Sequence, residues 1–248
     1  MKTVSPGIHA KLGAFLSQDN EARVPESRTM GKSLLRAGQW LATDYGNVFE
    51  SQDGLLTAIC GNYRWRDKEL SDRAVRLDPQ GVVAYAYRQY GEKFLEKLAG
   101  RFSVAVWDPA RKSGLVATDR FARLPVYWAH LDGVTWIAPT ADLVLHDAGV
   151  SPEVSPQALY HYLFFHMVPS PGTIYPQVNK LRAAHALRID RHGATSFCYW
   201  MPTFNEHAFA LGGKAEESLL QLLRSAVAQL DGGETTGAFL SGGLDSSS

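Results

Sequence analysis

The sequence predicts an α+β fold built on antiparallel sheets. Short apolar or aromatic runs follow one another between residues 101 and 138, and only brief breaks separate them. Such close spacing with short turns is typical of a meander of antiparallel strands and leaves no room for crossover helices. Amphipathic runs with helical spacing flank this region. Apolar residues make up 45% of the chain and aromatic residues 11%, which is enough for a substantial core.

The strands are predicted in chain order from β-branched and aromatic runs. The run GLLTAIC at 54–60 ends in a Gly-Asn turn signal and indicates the first strand. Four further strands are predicted at 101–108, 113–119, 123–130 and 133–138. Asp108 and Asp119-Arg120 stand at strand ends, which favours turn-capping or an ion pair over catalysis. Cys60 closes an apolar run and is expected to be a buried strand residue.

Three helices are predicted from apolar residues at three- and four-residue steps. The first covers 81–100, with Gly100 as its terminator. Ser155 is a candidate N-cap for a second helix that continues to His166. The third covers 216–230 and ends at an Asp-Gly-Gly break.

A domain boundary is predicted within residues 203–215, where a Gly-Gly pair lies in a linker-like stretch. Residues 1–203 then form one α+β domain, and residues 212–248 contain a helix, a short strand GAFL at 237–240 and a loop. Because the sequence stops directly after this loop, we expect the second domain to be truncated.

Charge and cysteine content exclude several function classes. The formal net charge is +0, which gives no electrostatic reason to expect nucleic acid or an anionic membrane as a partner. The two cysteines form neither a disulfide framework nor a zinc pattern, and the histidine spacing predicts no metal site. A reducing, cytoplasmic location is the simplest interpretation.

The loop SGGLDSS at 241–247 has the composition of a pyrophosphate site. Gly242 and Gly243 allow the backbone to approach a phosphate closely, while Ser241, Ser246 and Ser247 offer hydroxyl donors. Asp245 could face a magnesium ion that bridges phosphate oxygens. The lysine of a Walker A loop is absent. The alternative is a flexible Gly/Ser tail, which the apolar strand and amphipathic helix before the loop disfavour.

Three ordered segments together resemble the asparagine synthetase family. GAFLSGGLDSS resembles the pyrophosphate loop of its ATP-pyrophosphatase domain. GRFSVAVWDPARKSGLVATDRFARLPVYW, from Gly100, resembles the family stretch G-x-F-A-x-A-x-W-D … A-R-D-R-x-G-x-K-P-L-Y. YHYLFFHMVPSPGTIYPQVNKLRAAHAL, from Tyr160, resembles the segment Y-L-x-x-G-x-x-P-x-P-x-T-I-x-x-x-I-x-K-L-x-P-G-H.

The resemblance implies a two-domain amidotransferase. Its N-terminal domain would be an Ntn-type glutaminase, an αββα sandwich that releases ammonia from glutamine. Its second domain would use ATP and Mg²⁺ to adenylate a carboxylate, with Leu240 near the nucleotide. Because family members are much longer than this chain, we expect a fragment that binds no cofactor by itself.

The same resemblance implies a degenerate glutamine pocket without a catalytic residue. The family's nucleophile is an N-terminal cysteine, whereas this sequence begins Met1-Lys2 and its best match to C-G-I is Pro6-Gly7-Ile8. Ser5 could replace the cysteine only after removal of residues 1–4. Neither Cys60 nor Cys198 has the free α-amine that this chemistry requires.

Two further elements of the pocket also depart from the family pattern. The oxyanion-hole motif N-G falls on Cys60-Gly61, or on Gly61-Asn62 with a shift of one residue, and neither register keeps the pair. The aspartate that would hold the glutamine amine aligns with Pro79, and Asp78 could replace it only after a similar shift.

The sequence therefore supports two hypotheses. In the first, the chain is part of an ATP-dependent ligase that forms an amide from a small-molecule or peptide carboxylate, through attack by ammonia or a substrate amine. The fragment alone is then expected to be inactive. In the second, it is a non-catalytic Ntn-like binding or scaffold module. Both allow a homodimer.

Overall fold

A computed structural model of the 248-residue chain describes residues 12–14, 40–42, 49–204, 214–229, 237 and 239–243. The chain divides into two compact units, Met1–Met201 and Pro202–Ser248.

The first unit contains all of the described strands. In chain order they are Leu12–Ala14 (β1), Trp40–Ala42 (β2), Phe49–Glu50 (β3), Leu56–Cys60 (β4), Tyr63–Trp65 (β5), Leu98–Gly100 (β6), Ser103–Asp108 (β7), Ser113–Thr118 (β8), Tyr127–Leu131 (β9), Val134–Ala138 (β10), Asn179–Lys180 (β11), His185–Asp190 (β12) and Gly193–Cys198 (β13). Its helices are Lys68–Ala74 (α1), Pro79–Tyr90 (α2), Ala141–Ala148 (α3) and Pro156–Phe165 (α4), with a 3₁₀-helix at Gly91–Lys97.

The main sheet has six strands in the order β13-β12-β8-β7-β4-β3. Every described strand pair is antiparallel, so the predicted α+β fold with antiparallel sheets is confirmed. A second sheet has the order β10-β9-β11, and two further two-stranded sheets join β1 to β2 and β5 to β6.

Three apolar clusters show how these elements are layered. The first lies between α2 and the main sheet and includes Val83 and Val104. The second lies between the main sheet and the second sheet and includes Trp107 and Ile137. The third lies between the second sheet and α3 and includes Val144. The layers therefore run helix, sheet, sheet, helix.

Most predicted strands are confirmed, with one shifted start. The strand predicted at 123–130 begins at Tyr127. The residues before it form a loop around the buried carboxylate of Asp119, which accepts hydrogen bonds from the backbone N–H groups of Phe121 at 2.9 Å and Arg123 at 3.1 Å. Backbone groups bonded to this carboxylate are not available to a strand ladder.

The single helix predicted at 81–100 is wrong in its second half. Helix α2 ends at Tyr90 because Gly91 has φ +55°, a conformation that glycine adopts without strain. The 3₁₀-helix follows, and residues 98–100 then form β6. The N-cap predicted at Ser155 is confirmed, since its Oγ accepts a hydrogen bond from Ala158 N at 3.3 Å.

The second unit contains Lys214–Ala228 (α5), close to the helix predicted at 216–230. The leucines of its amphipathic sequence are exposed. The strand predicted at 237–240 is not seen at Gly237, Phe239 or Leu240, which have no strand conformation in the described part of this unit. A strand requires a paired neighbour, and the described residues of this unit supply none.

Candidate functional site

The candidate glutamine pocket begins where β4 turns into β5. Gly61 has φ +109°, and a Cβ placed there would lie 2.2 Å from the carbonyl oxygen of Arg101. Gly100 has φ +100°, and its Cβ would lie 2.6 Å from the carbonyl oxygen of Asn62. Arg101 N donates to that same oxygen at 2.8 Å. The two backbones therefore cross too closely for any residue with a side chain.

Cys60 lies directly before this crossing, opposite Ser103 in the adjacent strand β7. Its side chain is buried, and burial raises the pKa of the thiol to about 11. Hydrogen bonds from the backbone and hydroxyl of Ser103, and the positive charge of Arg101, lower this pKa and offset the effect of burial only in part. Cys60 is thus a protonated, buried thiol at neutral pH, as expected for a strand residue.

Asn62 and Gly61 are both exposed at the start of the turn. The structure places Gly61, and not Asn62, in the strained position that demands glycine. In the register that puts Gly61 at the family glycine, Cys60 occupies the asparagine position. A thiol is a weak hydrogen-bond donor compared with a carboxamide NH₂.

Asp78 is the N-cap of α2. Its Oδ1 accepts a hydrogen bond from Gly81 N at 2.8 Å, and Pro79 occupies the first turn, where proline is favoured. The carbonyl of Gln80 accepts a hydrogen bond from Thr57 Oγ1 at 2.9 Å, which attaches the start of α2 to β4. The Asp-Pro dipeptide is therefore explained by helix initiation.

Tyr63 is the residue of this region that sequence reasoning missed. The pKa of its phenol is raised to about 12, chiefly by burial and in smaller part by the charges that ionised Cys60 and Asp78 would carry nearby. Tyr63 thus lies within electrostatic reach of both residues. No local sequence signal distinguishes it from any other aromatic strand residue, because its neighbours come from β4 and from the start of α2.

The predicted pyrophosphate loop is described only in part. Leu240, Ser241, Gly242 and Gly243 are exposed, while Asp245, Ser246 and Ser247 lie outside the described residues. Ser241 Oγ accepts a hydrogen bond from Gly243 N at 3.3 Å. A Cβ built on Gly242 meets no atom of the described residues within 4 Å.

Two features are absent from the described residues. No group of three or more histidine, cysteine or acidic side chains is placed to hold a metal ion there. In the same part of the chain, no helix has both the length and the apolar character needed to cross a bilayer.

Comparison with known proteins agrees with the resemblance read from the motifs. Residues 62–200 match the family model for the glutamine amidotransferase domain. A putative glutamine-hydrolysing asparagine synthetase from Mycobacterium tuberculosis H37Rv is 29% identical over 184 residues, which cover 68% of this chain and 27% of that protein. Glutamine-hydrolysing asparagine synthetase 1 of Bacillus subtilis 168 is 27% identical over 172 residues, which cover 67% and 26% of the two chains.

Another relative extends over nearly the whole chain. Asparagine synthetase of Triphysaria versicolor is 27% identical over 244 residues, 97% of this chain and 35% of its own. Among solved structures, glutamine phosphoribosylpyrophosphate amidotransferase from B. subtilis has 14% identity and a TM-score of 0.41. That match covers 62% of this chain and 31% of the other.

This chain spans about a quarter of the length of the two bacterial relatives. The predicted relationship to glutamine-hydrolysing asparagine synthetases is confirmed. Because the matched family model covers residues 62–200 of 248, more than half of the chain, this protein belongs to the glutamine amidotransferase domain family.

Proposed function

We propose that this chain belongs to an ATP-dependent, amide-forming ligase similar to asparagine synthetases, and that its amidotransferase domain no longer hydrolyses glutamine. The burial of Cys60 is the observation that supports the loss of glutamine hydrolysis. In the register set by Gly61, a buried thiol stands where the family has the asparagine that stabilises the oxyanion. A buried, protonated thiol is a weaker hydrogen-bond donor to a developing negative charge than a carboxamide NH₂.

Asp78 supports the same conclusion. Its Oδ1 caps α2, and Pro79 occupies the aligned position of the family aspartate that holds the glutamine amine. The helix start thus uses the nearest carboxylate for folding. A pocket without its oxyanion donor and its amine anchor has little reason to bind glutamine.

The ligase reaction itself is proposed for the loop that follows Leu240. A carboxylate oxygen of the substrate attacks the α-phosphorus of ATP, and pyrophosphate leaves with the electrons of the broken P–O bond. That pyrophosphate would be held by the loop residues Ser241, Gly242, Gly243, Asp245, Ser246 and Ser247. Asp245 would also face Mg²⁺. An amine then attacks the acyl carbon, AMP leaves, and the amine nitrogen loses a proton. The product is an amide.

The loss of glutamine hydrolysis is compatible with this reaction because the amine need not come from glutamine. Free ammonia or an amine on the substrate itself can attack the acyl-adenylate. The amidotransferase domain would then remain as a scaffold. The carboxylate is a small molecule or a peptide, and we propose a cytoplasmic reaction without nucleic acid or membrane partners.

A glutaminase assay tests the first claim. The protein is incubated with glutamine, and ammonia is measured against a heat-denatured sample. We expect no ammonia above that control. Asp78→Ala should lower stability by about 1 kcal/mol, the usual loss for a helix cap, and should leave the ammonia reading at the level of the control. Ammonia release above the control, if Asp78→Ala abolished it, would show that the pocket still hydrolyses glutamine.

Pyrophosphate release tests the second claim. The whole ligase of which we propose this chain is a part is supplied with ATP, Mg²⁺ and panels of amino acids and peptides, and carboxylate-dependent pyrophosphate is measured. Gly242→Val should abolish the signal because its side chain would occupy the space that a phosphate needs. Gly237→Val is the matched control, since an added Cβ at either glycine meets no atom of the described part of the chain within 4 Å. Equal loss in both variants would contradict a specific role of the loop.

A second candidate is a non-catalytic binding or scaffold module, and the same state of Cys60 and Asp78 favours it. The two candidates differ in one result. If the whole protein that contains this chain releases no pyrophosphate from ATP with any carboxylate, and no ammonia from glutamine, the chain is the scaffold module.

A further inference from the structure

Arg64 and Arg66 lie on the exposed face of the short ribbon that β5 forms with β6. Trp65 between them is buried in the core, and side chains alternate along a strand, so the two arginines share the opposite face. The backbone N–H of Arg66 donates to the carbonyl oxygen of Lys97 at 2.8 Å and continues the pairing of the ribbon. At about 3.3 Å per residue, the two arginine Cα atoms are roughly 7 Å apart, which lets both long side chains reach a shared ligand.

Arg120 brings a third guanidinium to this face. Its Nη2 donates to the carbonyl oxygen of Glu96, the residue before Lys97, at 3.4 Å. Its Nε is shielded from solvent and has no hydrogen-bond partner among the described residues. A guanidinium has five N–H donors, so the fold uses only a small part of what Arg120 offers. We call Arg64, Arg66 and Arg120 the arginine cluster.

The indole of Trp200 holds Arg120 without using its hydrogen-bond donors. The guanidinium carbon lies 4.5 Å from the ring centroid, which is a cation–π contact. Such a contact uses the positive charge of the guanidinium and the face of the ring, and it occupies no N–H group. The side chain of Arg120 is therefore positioned by the protein while most of its donors remain available to a ligand.

The acidic side chains beside the arginine cluster are engaged elsewhere. Asp67 Oδ2 pairs with Lys97 Nζ at 2.7 Å. Asp119 Oδ1 lies 3.4 Å from Arg123 Nε, and the same carboxylate accepts hydrogen bonds from backbone N–H groups. Within the part of the chain that the structure describes, no arginine of the cluster forms an ion pair. The positive charges of the cluster are thus left without a protein carboxylate.

These charges also act on one another. Burial lowers the pKa of Arg120, and the positive charge of Arg66 lowers it further, while Tyr199 and Glu96 act in the opposite direction. Arginine keeps its charge at neutral pH in spite of such shifts. The carboxylate of Glu96 offsets one of the three guanidinium charges, which leaves a local excess of two. An anion that carries two charges would remove this repulsion.

We propose that the arginine cluster binds a phosphate group, either free or as the monoester of a small molecule. A phosphate monoester carries a charge of about −1.5 to −2 at neutral pH and three strong acceptor oxygens, which matches both the local charge and the unused donors. A carboxylate offers one charge and two oxygens, and it would satisfy fewer of these donors. Guanidinium groups bind phosphate oxygens in pairs, so Arg66 and Arg120 would contact the phosphate from two sides. The proposal does not depend on the chemistry of the glutamine pocket or of the terminal loop.

The test is calorimetric titration of the full chain with inorganic phosphate at constant ionic strength. We expect saturable binding at one site and weaker binding of acetate. Arg66→Gln should raise the dissociation constant for phosphate at least about 10-fold, the usual contribution of a charge-assisted hydrogen bond. Arg66 is exposed, so the fold should tolerate this change. Phenyl phosphate distinguishes the two sources: tighter binding than inorganic phosphate would identify a monoester, and equal binding would identify the phosphate group alone.

Arg191→Gln is the matched control for the loss of one positive charge. Arg191 is exposed and lies in the turn after β12, at the opposite end of the β8–β12 pair from Arg120. Its dissociation constant for phosphate should equal that of the unchanged chain. An equal loss in Arg66→Gln and Arg191→Gln would show a non-specific charge effect and would overturn the proposal.

Chemical modification provides a second measurement that needs no variant. Phenylglyoxal modifies accessible guanidiniums, and peptide mass spectrometry reports which arginines have reacted. Phosphate at ten times its dissociation constant should slow the modification of Arg66 and Arg120 about 10-fold, by mass action, and should leave Arg191 unaffected. The proposal is overturned by any of three results: no saturable heat with phosphate, acetate binding as tight as phosphate binding, or no protection of the cluster from phenylglyoxal.

Discussion

At the scale of single residues, the two cysteines differ in the property that controls thiol reactivity. Cys60 is buried with a pKa of about 11, whereas Cys198 is exposed. At pH 8 roughly one Cys60 thiol in a thousand is ionised, and the buried sulfur is also inaccessible. We predict that a disulfide reagent such as DTNB labels one cysteine of the folded protein and two of the unfolded protein. Peptide mass spectrometry should identify the first as Cys198.

The raised pKa of Cys60 also predicts a pH dependence of stability. The ordinary thiol pKa of 9.0 rises to about 11 in the folded state, so folding favours the protonated form. This contribution is complete below pH 9 and is lost as the pH rises towards 11. Cys60→Ala should remove that part of the alkaline loss in a series of urea titrations. Rapid labelling of native Cys60 at pH 8 would contradict both predictions.

Asp119 is a second residue whose environment leads to a specific prediction, here about stability. Its side chain is fully buried and accepts hydrogen bonds from the backbone N–H groups of Phe102, Phe121 and Arg123. Asp119→Ala would leave these donors and the nearby guanidinium unpaired. We predict a loss of about 3 kcal/mol in the free energy of unfolding, measured by urea denaturation.

The matched control for Asp119 is Asp72→Ala, at an exposed acid within α1. A substitution at such a surface position should change stability by less than about 0.5 kcal/mol. Similar losses in the two variants would show that the carboxylate of Asp119 does not organise the loop before β9.

The sequence revealed the residue identities of the glutamine pocket but not their roles. Gly61 could be recognised from the glycine motif, and the absence of an asparagine before it was visible in the alignment of motifs. The hydrogen bonds that Cys60 accepts from Ser103 could not be predicted, because the two residues are 43 positions apart and meet only through the pairing of β4 with β7. The cap formed by Asp78 was missed, although Asp-Pro before an apolar run is itself a helix-start signal.

At the scale of elements, the crossing of β4–β5 over β6–β7 depends on glycine. An added Cβ at Gly61 would lie 2.2 Å from a backbone oxygen that belongs to the adjacent strand connection. Neither backbone can move without breaking the hydrogen bond from Arg101 N to Asn62 O. We therefore predict that Gly61→Ala costs at least about 3 kcal/mol of stability.

Gly54→Ala separates the effect of the crossing from the effect of a positive φ alone. Gly54 has φ +78°, but its added Cβ would meet no atom within 4 Å. This control should lose about 1 kcal/mol, the typical strain of a non-glycine residue in that conformation. Chemical denaturation of both variants gives the comparison. Equal losses would mean that the close approach at Gly61 relaxes without cost.

The elements that the sequence predicted well are those with a continuous local pattern. Strands β7, β8 and β10 are runs of apolar and β-branched residues, and their bounds agree with the predictions to within two residues. The end of α2 was missed because the apolar spacing continues through Phe94 and Leu98 after the helix has stopped at Tyr90. Strand β6 forms there through pairing with β5, some 35 residues earlier in the chain. Such distant pairing leaves no local signal.

At the scale of the whole molecule, the apolar core that the described residues form lies in the first of the two units. All three described clusters belong to residues 55–199, and they join the two sheets to the helices on either side. In the second unit, α5 has leucines more than 40% exposed, and Phe239 is fully exposed. The layered fold of Met1–Met201 should therefore depend on its own contacts for stability.

Limited proteolysis tests this independence. Met201 and Phe204 are 71% and 86% exposed and have no helix or strand conformation, so chymotrypsin should cleave there first. We predict a resistant product that ends near Phe204 and contains the whole helix–sheet–sheet–helix stack. A chain shortened to residues 1–204 should keep the melting temperature of the full chain to within about 3 °C, because it retains every described apolar cluster. The control is cleavage at Phe121, which is 72% exposed but is held in the loop around Asp119 by backbone hydrogen bonds. Early cleavage at Phe121, or a large fall in the melting temperature after shortening, would show that residues beyond 204 contribute to the stability of the first unit.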